Sequence, residues 1–237
     1  MKSKMIFNTD HQELFAQMVV VLFREINQLT KDKIVIAVPG GRSIVGLLKQ
    51  LASRAAELPH EVWGRLNFFM VDERLVPIDS EDSNYKLVFE LCFCDFVKQG
   101  LISEKQLHPF IYQPQQKDFG ASTYEQELNA CGGVFDIVLL GVGEDGHAAA
   151  LYPRHPLLSS EHVGFLTLLD SPKPPSQRMT SSLQLLRKAK VAMALFIGEA
   201  KKDAYLTFCS ADKAIADCPA KIIEDIECGY VITDIRE

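Results

Sequence analysis

From Asp10 onward, apolar residues recur at Leu14, Met18, Leu22, Ile26 and Leu29, a spacing that places them on one face of a helix. Asp10, with Glu13 three residues later, supplies the cap signal for its start. The pattern then changes. Short, nearly unbroken apolar runs occur at IVIAV (34–38), LNFFMV (66–71), FDIVLLG (135–141), VAMALFI (191–197) and YVITDI (230–235). Their length and β-branched content predict buried strands. Between them, IVGLLKQLASRAA (44–56), YKLVFELCF (85–93) and GEAKKDAYLTF (198–208) return to helical spacing. Strand runs alternating with helices predict an α/β fold, with a mainly parallel sheet covered by helices on both faces. No low-complexity linker divides the chain and no internal repeat is present. SPKPPSQR (171–178) reads as a loop, so one three-layer domain over residues 1–237 is expected.

Composition narrows the function. A net charge of −6 argues against a nucleic-acid binder that relies on a broadly basic surface. The apolar cluster VVVLF runs directly into Arg24 and Glu25, so the N-terminal region does not read as a signal peptide, and no run is long enough to span a bilayer. The six cysteines show neither a C-x-x-C pair nor zinc spacing with histidine. A cytoplasmic protein with reduced thiols, no metal site and no membrane or nucleic-acid partner is expected.

In open α/β sheets, ligands bind beyond the carboxyl ends of the strands. Four segments fall there: PGGRS, DER, GVGEDGH and GEAKK. GVGEDGH fits the G-x-G-x-x-G pattern of a dinucleotide loop, but Pro153 follows six residues after His147 and leaves no room for the helix such a loop must open. His147 sits beyond a strand end, follows glycines that admit a ligand, and lies beside Asp145. An imidazole there can accept a proton near neutral pH, although bracing a turn is the commoner role of a histidine. In PGGRS, Gly40 and Gly41 leave backbone N–H groups free before a helix, which suits a phosphate; Ser43 either caps the helix or donates its hydroxyl to a ligand. Asp72 and Arg74, two residues apart, can face the same side, or form an exposed ion pair of little worth. Among the cations between 171 and 202, Arg178, in the proline-stiffened loop, and Lys201, past a strand end, are the better phosphate candidates. Together these residues point to an enzyme acting on a small phosphorylated substrate with a histidine acid/base.

The segments VDER with DSN, FDIVLLGVGEDGHAAALYP, DSPKPPSQRMT and GEAKK, in that order, resemble the 6-phosphogluconolactonase family, part of a wider group that includes glucosamine-6-phosphate deaminase. The resemblance implies a modified Rossmann-like fold and hydrolysis of 6-phospho-D-glucono-1,5-lactone to 6-phospho-D-gluconate, the second step of the oxidative pentose phosphate pathway, with no metal and no organic cofactor. It implies that His147 is catalytic with Asp72 and Arg74, Asp72 either orienting His147 or holding a sugar hydroxyl. It also places Gly40, Gly41, Ser43, Arg178 and Lys201 around the substrate phosphate, while Gly143 lets the substrate approach His147. One departure is the first glycine loop: the family often has Ser-Gly-Gly-Ser-Thr-Pro, whereas this chain has Pro39-Gly40-Gly41-Arg42-Ser43-Ile44. Arg42 then either joins the phosphate site or points to solvent. Two alternatives stand beside the lactonase. The deaminase has a carboxylate five residues after its histidine, where this chain has Tyr152. A non-catalytic sugar-phosphate sensor on the same fold generally carries a DNA-binding segment.

Overall fold

Residues 2–236 are described here, from a computed structural model. The strands are β1 (Lys4–Phe7), β2 (Ile34–Val38), β3 (Leu66–Met70), β4 (Asp72–Arg74), β5 (Leu107–His108), β6 (Ile137–Gly141), β7 (Phe165–Leu168), β8 (Arg178–Ser181), β9 (Val191–Phe196) and β10 (Cys228–Thr233). The helices are α1 (His11–Gln28), α2 (Val45–Ser53), α3 (His60–Trp63), α4 (Asn84–Val88), α5 (Cys94–Lys98), α6 (Ala121–Ala130), α7 (Leu183–Leu186) and α8 (Lys202–Cys209). Seven strands, in the order β1-β10-β9-β6-β2-β3-β5, form one sheet in which every neighbouring pair is parallel.

The central strand runs are nearly all apolar because both faces of this sheet are covered. On β2, Ile34, Ile36 and Val38 pack with Leu14, Met18 and Leu22 of α1 and Leu47 and Leu51 of α2. The alternate residues Val35 and Ala37 join the opposite layer with Tyr124 and Leu128 of α6 and Tyr205 and Phe208 of α8. This is the three-layer α/β arrangement that the periodicity predicts. Helix α1 buries Leu14, Met18, Leu22 and Ile26, and Phe15, Val19 and Phe23 widen the stripe; Leu29 is the residue that follows its last turn. The Asp10 carboxylate accepts from the N–H groups of Gln12 and Glu13, satisfying donors that the first turn leaves without partners. The YKLVFELCF helix is present but not uniform: a π-turn, Phe89–Phe93, joins α4 to α5. No described helix is long and apolar enough to cross a membrane.

A second sheet corrects two expectations. DER is not a loop but strand β4, and Arg178 is not in the proline loop but opens β8. These strands pair antiparallel, with Asp72 opposite Thr180 and Arg74 opposite Arg178, and β7 completes the order β4-β8-β7. Strands β1, β5, β7 and β8 carry no long apolar run, which is why periodicity misses them. β1 lies at a sheet edge, with Met5 and Phe7 partly in solvent, and β5 has two residues. The polar residues of β8, Thr180 and Ser181, are fully buried but bonded: Thr180 Oγ1 accepts from the Ala150 N–H, and the Ser181 hydroxyl donates to the Val71 carbonyl. A buried polar strand of this kind looks like a loop in sequence.

Candidate active site

The carboxyl ends of β2, β6 and β9 border a cleft of about 790 Å³, and the short strand β4 closes one side of it. Its lining includes Gly40, Gly41, Arg42, Ser43, Asp72, Arg74, Gly143, His147, Arg178 and Lys201, so one cleft collects every site residue proposed from sequence. The lining also contains Asn84, Glu144 and Lys173.

His147 is held by a tight turn rather than a helix. Gly143 N–H donates to the His147 carbonyl (2.9 Å) and Gly146 N–H to the Gly143 carbonyl (3.0 Å). The imidazole Nδ1 lies 2.5 Å from Asp145 Oδ1. A carboxylate accepts only, so Nδ1 carries the hydrogen and the basic lone pair falls on Nε2; the tautomer is thus assigned from the hydrogen bond. Burial acts to raise the Asp145 pKa. The His147 hydrogen bonds and the charges of His147 and Lys173 outweigh it and hold the carboxyl below its ordinary value. The Lys173 ammonium is 3.8 Å from the same oxygen. Asp145, not Asp72, therefore orients the histidine. Gly143 is required by contact: a Cβ built there would lie 2.0 Å from His147 Nδ1 and 2.5 Å from Asp145 Oδ1.

Asp72, Glu73 and Arg74 are tied to residues 82–85. Asn84 Nδ2 donates to the Asp72 carbonyl at 3.0 Å and faces its Oδ2 at 3.4 Å. Arg74 Nη1 donates to the Asp82 carbonyl at 2.7 Å, and its Nε, though buried, has no hydrogen-bond partner. Glu73 lies behind the cleft, 2% exposed. Burial pushes its carboxyl up to about 6, against the pull of hydrogen bonds from the N–H groups of Asn84, Tyr85 and Arg74. Asn84 also sets the approach of the glycine loop, since a Cβ on Gly40 would lie 1.9 Å from Asn84 Oδ1.

The cations behave differently from one another. Arg178 is buried, and its Nε donates to the Pro175 carbonyl (3.1 Å), its Nη2 to those of Lys173 and Pro174 (3.3 Å each). Its Nη1 is 3.9 Å from Asp72 Oδ2. The Nε–Nη2 edge of Arg178 thus pins the proline loop that carries Lys173, while the residue itself lines the cleft. Lys201 is half-buried; burial lowers its pKa first, and the nearby charges of Lys173 and Arg42 lower it further, against Glu144 and Asp145. Such a cation gains most from an anionic ligand. Gly41, at φ +84°, turns the chain into the 3-10 turn Arg42–Ile44 that precedes α2. Ser43 lies inside this turn rather than at a cap, since Gly41 is the N-cap of the turn and Ile44 that of α2, and it lines the cleft. Arg42, at the mouth, is exposed.

Tyr152 packs its ring 4.7 Å from the His147 ring. Its hydroxyl accepts from Ser171 Oγ at 2.8 Å, and burial raises its pKa above that of an ordinary phenol. Of the residues now seen in the site, Lys173 and Asp145 were legible as local charges. Asn84 and Glu73 were not, because their roles depend on a strand-to-turn contact. Among the described residues no group of three or more His, Cys, Asp or Glu side chains is placed to hold a metal ion.

Residues 9–232 match the family model described as glucosamine-6-phosphate isomerases/6-phosphogluconolactonase. The chain is 35% identical over 207 residues to a 6-phosphogluconolactonase of Borreliella burgdorferi, an overlap of 87% of this chain and 86% of the relative. A crystal structure of 6-phosphogluconolactonase from Thermotoga maritima superposes with a TM-score of 0.83 at 22% identity, covering 99% of this chain and 100% of the other. A monomeric glucosamine-6-phosphate deaminase superposes with a TM-score of 0.80 at 19% identity, covering 98% and 97%. At these identities the two superpositions speak to fold alone, and the fold is common to lactonase and deaminase.

Proposed function

The chain belongs to the glucosamine-6-phosphate isomerase/6-phosphogluconolactonase family, and from that premise we propose that it hydrolyses 6-phospho-D-glucono-1,5-lactone to 6-phospho-D-gluconate with His147 as general base. The observation that carries this reading is the Asp145–His147 pair, which leaves Nε2 as the basic nitrogen in a cleft that also holds Arg42, Lys173 and Lys201. His147 Nε2 takes a proton from water as the water oxygen bonds to the lactone carbonyl carbon. The developing oxyanion is met by Arg74, whose guanidinium is steadied at one nitrogen by the Asp82 carbonyl. Collapse breaks the bond to the ring oxygen, which receives the proton back from His147. Arg42, Ser43, Lys173, Lys201 and the N–H groups after Gly40 bind the phosphate, and that remote binding positions the carbonyl. Arg178 serves this end indirectly by fixing the proline loop, and Asp72 faces the sugar hydroxyls.

Tyr152 favours lactonase over deaminase chemistry. A buried phenol with a raised pKa, already bonded to Ser171, is a poor stand-in for a carboxylate that must move a proton. The same reading takes residues 1–237 as one domain of a cytoplasmic enzyme whose six free cysteines stay reduced. The test pairs wild type with His147→Asn. Lactone made in situ by glucose-6-phosphate dehydrogenase is followed to 6-phosphogluconate, with ammonia from glucosamine-6-phosphate measured in parallel. Wild type should hydrolyse the lactone and release no ammonia, and the variant should lose about 100- to 10,000-fold. Ammonia release at enzymatic rates would overturn the lactonase reading. Ligand binding with no turnover on either compound would favour the sensor.

A further inference from the structure

Strand β4 puts two side chains, Asp72 and Arg74, into the cleft and one, Glu73, away from it. Glu73 is 2% exposed, and all its described hydrogen-bond partners are donors. Its Oε1 accepts from the N–H groups of Arg74 and Asn84, each at 2.7 Å. Its Oε2 accepts from the Tyr85 N–H at 2.7 Å and from Ser83 Oγ at 3.2 Å. Three backbone donors and a hydroxyl thus converge on one buried carboxylate. Two of those donors, Asn84 and Tyr85, are the N–H groups that α4 cannot satisfy within its own first turn. The residues on either side of Glu73 meet the same segment from the cleft side: Asn84 donates to Asp72, and Arg74 donates to Asp82.

We propose that Glu73 is a positioning residue for the hydrolysis: from outside the cleft, it fixes in one rigid unit the three cleft-lining residues Asp72, Arg74 and Asn84. This rests on the lactonase reading above. The donor pattern makes the role specific to a carboxylate. Glutamine has the same shape, but one of its two ends is an NH₂ that would face N–H or O–H donors and accept nothing. A helix start that loses half its acceptor must rotate or refill with water. Asn84 is barred from moving toward Gly40, which approaches it too closely to tolerate even a methyl group, so it swings away and leaves the glycine loop in place. Arg74 shifts with β4. The phosphate cations Arg42, Lys173 and Lys201 belong to other segments and stay in place.

The consequence is a split that general loosening would not produce. In Glu73→Gln, kcat should fall about 10- to 100-fold, the scale of an ångström-sized misplacement of reacting groups. The loss should be equal for 6-phosphogluconolactone and unphosphorylated gluconolactone, with KM for the phosphorylated substrate within about twofold of wild type, because its phosphate contacts are kept. Steady-state kinetics on both lactones, with circular dichroism as the check on folding, reads this directly. A folded Glu73→Gln with wild-type kcat overturns the proposal, and so does a loss confined to KM for the phosphorylated substrate. Should that variant not fold, Ser83→Ala carries the test, since it deletes one of the four donors and lies outside the cleft lining. A several-fold fall in kcat on both lactones supports the proposal, and unchanged kcat overturns it. Failure of the lactonase reading itself would show as a wild-type protein inactive on both substrates, a different result from either.

Discussion

Gly143→Ala should silence the enzyme without unfolding it. The φ of Gly143 is not in the left-handed region, so alanine meets no backbone penalty at this position. The conflict is purely one of contact. An alanine Cβ would lie 2.0 Å from His147 Nδ1, 2.1 Å from Cε1 and 2.5 Å from Asp145 Oδ1. Ordinary contact begins at 3.4 Å, so the imidazole must withdraw by about 1.4 Å. The ring borders open cleft, so it can yield by swinging outward, and the fold need not give. The same swing breaks the 2.5 Å bond to Asp145 that fixes the tautomer.

A misplacement of about 1 Å of a reacting group costs roughly 100-fold, and loss of the orienting carboxylate adds to it. kcat should therefore fall at least about 100-fold, approaching the 100- to 10,000-fold range of removing a general base outright. KM should change little, because Arg42 and Lys201 are untouched. The measurement is continuous lactone hydrolysis corrected for the spontaneous rate, together with a thermal melt. Folded Gly143→Ala with kcat within threefold of wild type would refute the reasoning, because the ring would then have to work from a position about 1.4 Å away.

The phosphate end gives an independent prediction. Lys201→Ala or Arg42→Ala should lower kcat/KM for 6-phosphogluconolactone by about 10- to 100-fold, since a hydrogen bond to a charged group is worth about 1.5–3 kcal/mol. The unphosphorylated lactone should be nearly unaffected, and equal losses on both would show that these cations do not read the phosphate. Acid stability tests the Asp145 pair. Its carboxyl is held below its ordinary value in the folded protein, so the stability it contributes is full above the unfolded pKa of about 3.9 and is lost as pH falls through the folded value. The melting-temperature deficit of Asp145→Asn should accordingly be larger at pH 6 than in strong acid, and a deficit that grew on acidification would contradict that sign.

The parallel sheet was legible because both its faces are buried: a strand such as Val191–Phe196, with all six residues in the core, has no choice but to be apolar throughout. The second sheet was not, because its inner positions are filled by Thr180 and Ser181, which bond to the distant Ala150 and Val71, and by Arg178, whose guanidinium turns back on the carbonyls of the proline loop. The site divides along the same line. His147 and Asp145 lie in one short turn and could be read as neighbours. So could the cations, although only the fold shows that Arg178 is committed to three carbonyls while Lys173, beside them, is delivered to the cleft. Asp72 and Arg74 were found by residue type, but what fixes them was not. Glu73 reads as the middle member of a charged triplet, and a charged triplet is ordinarily solvent-facing. Three of its four partners lie ten to twelve residues later, in a polar segment whose sequence gives no sign that these donors turn inward to one carboxylate. Sequence periodicity reports burial against water. It is silent on burial against hydrogen-bond partners, and that second kind of burial is what holds the reacting end of this cleft in shape.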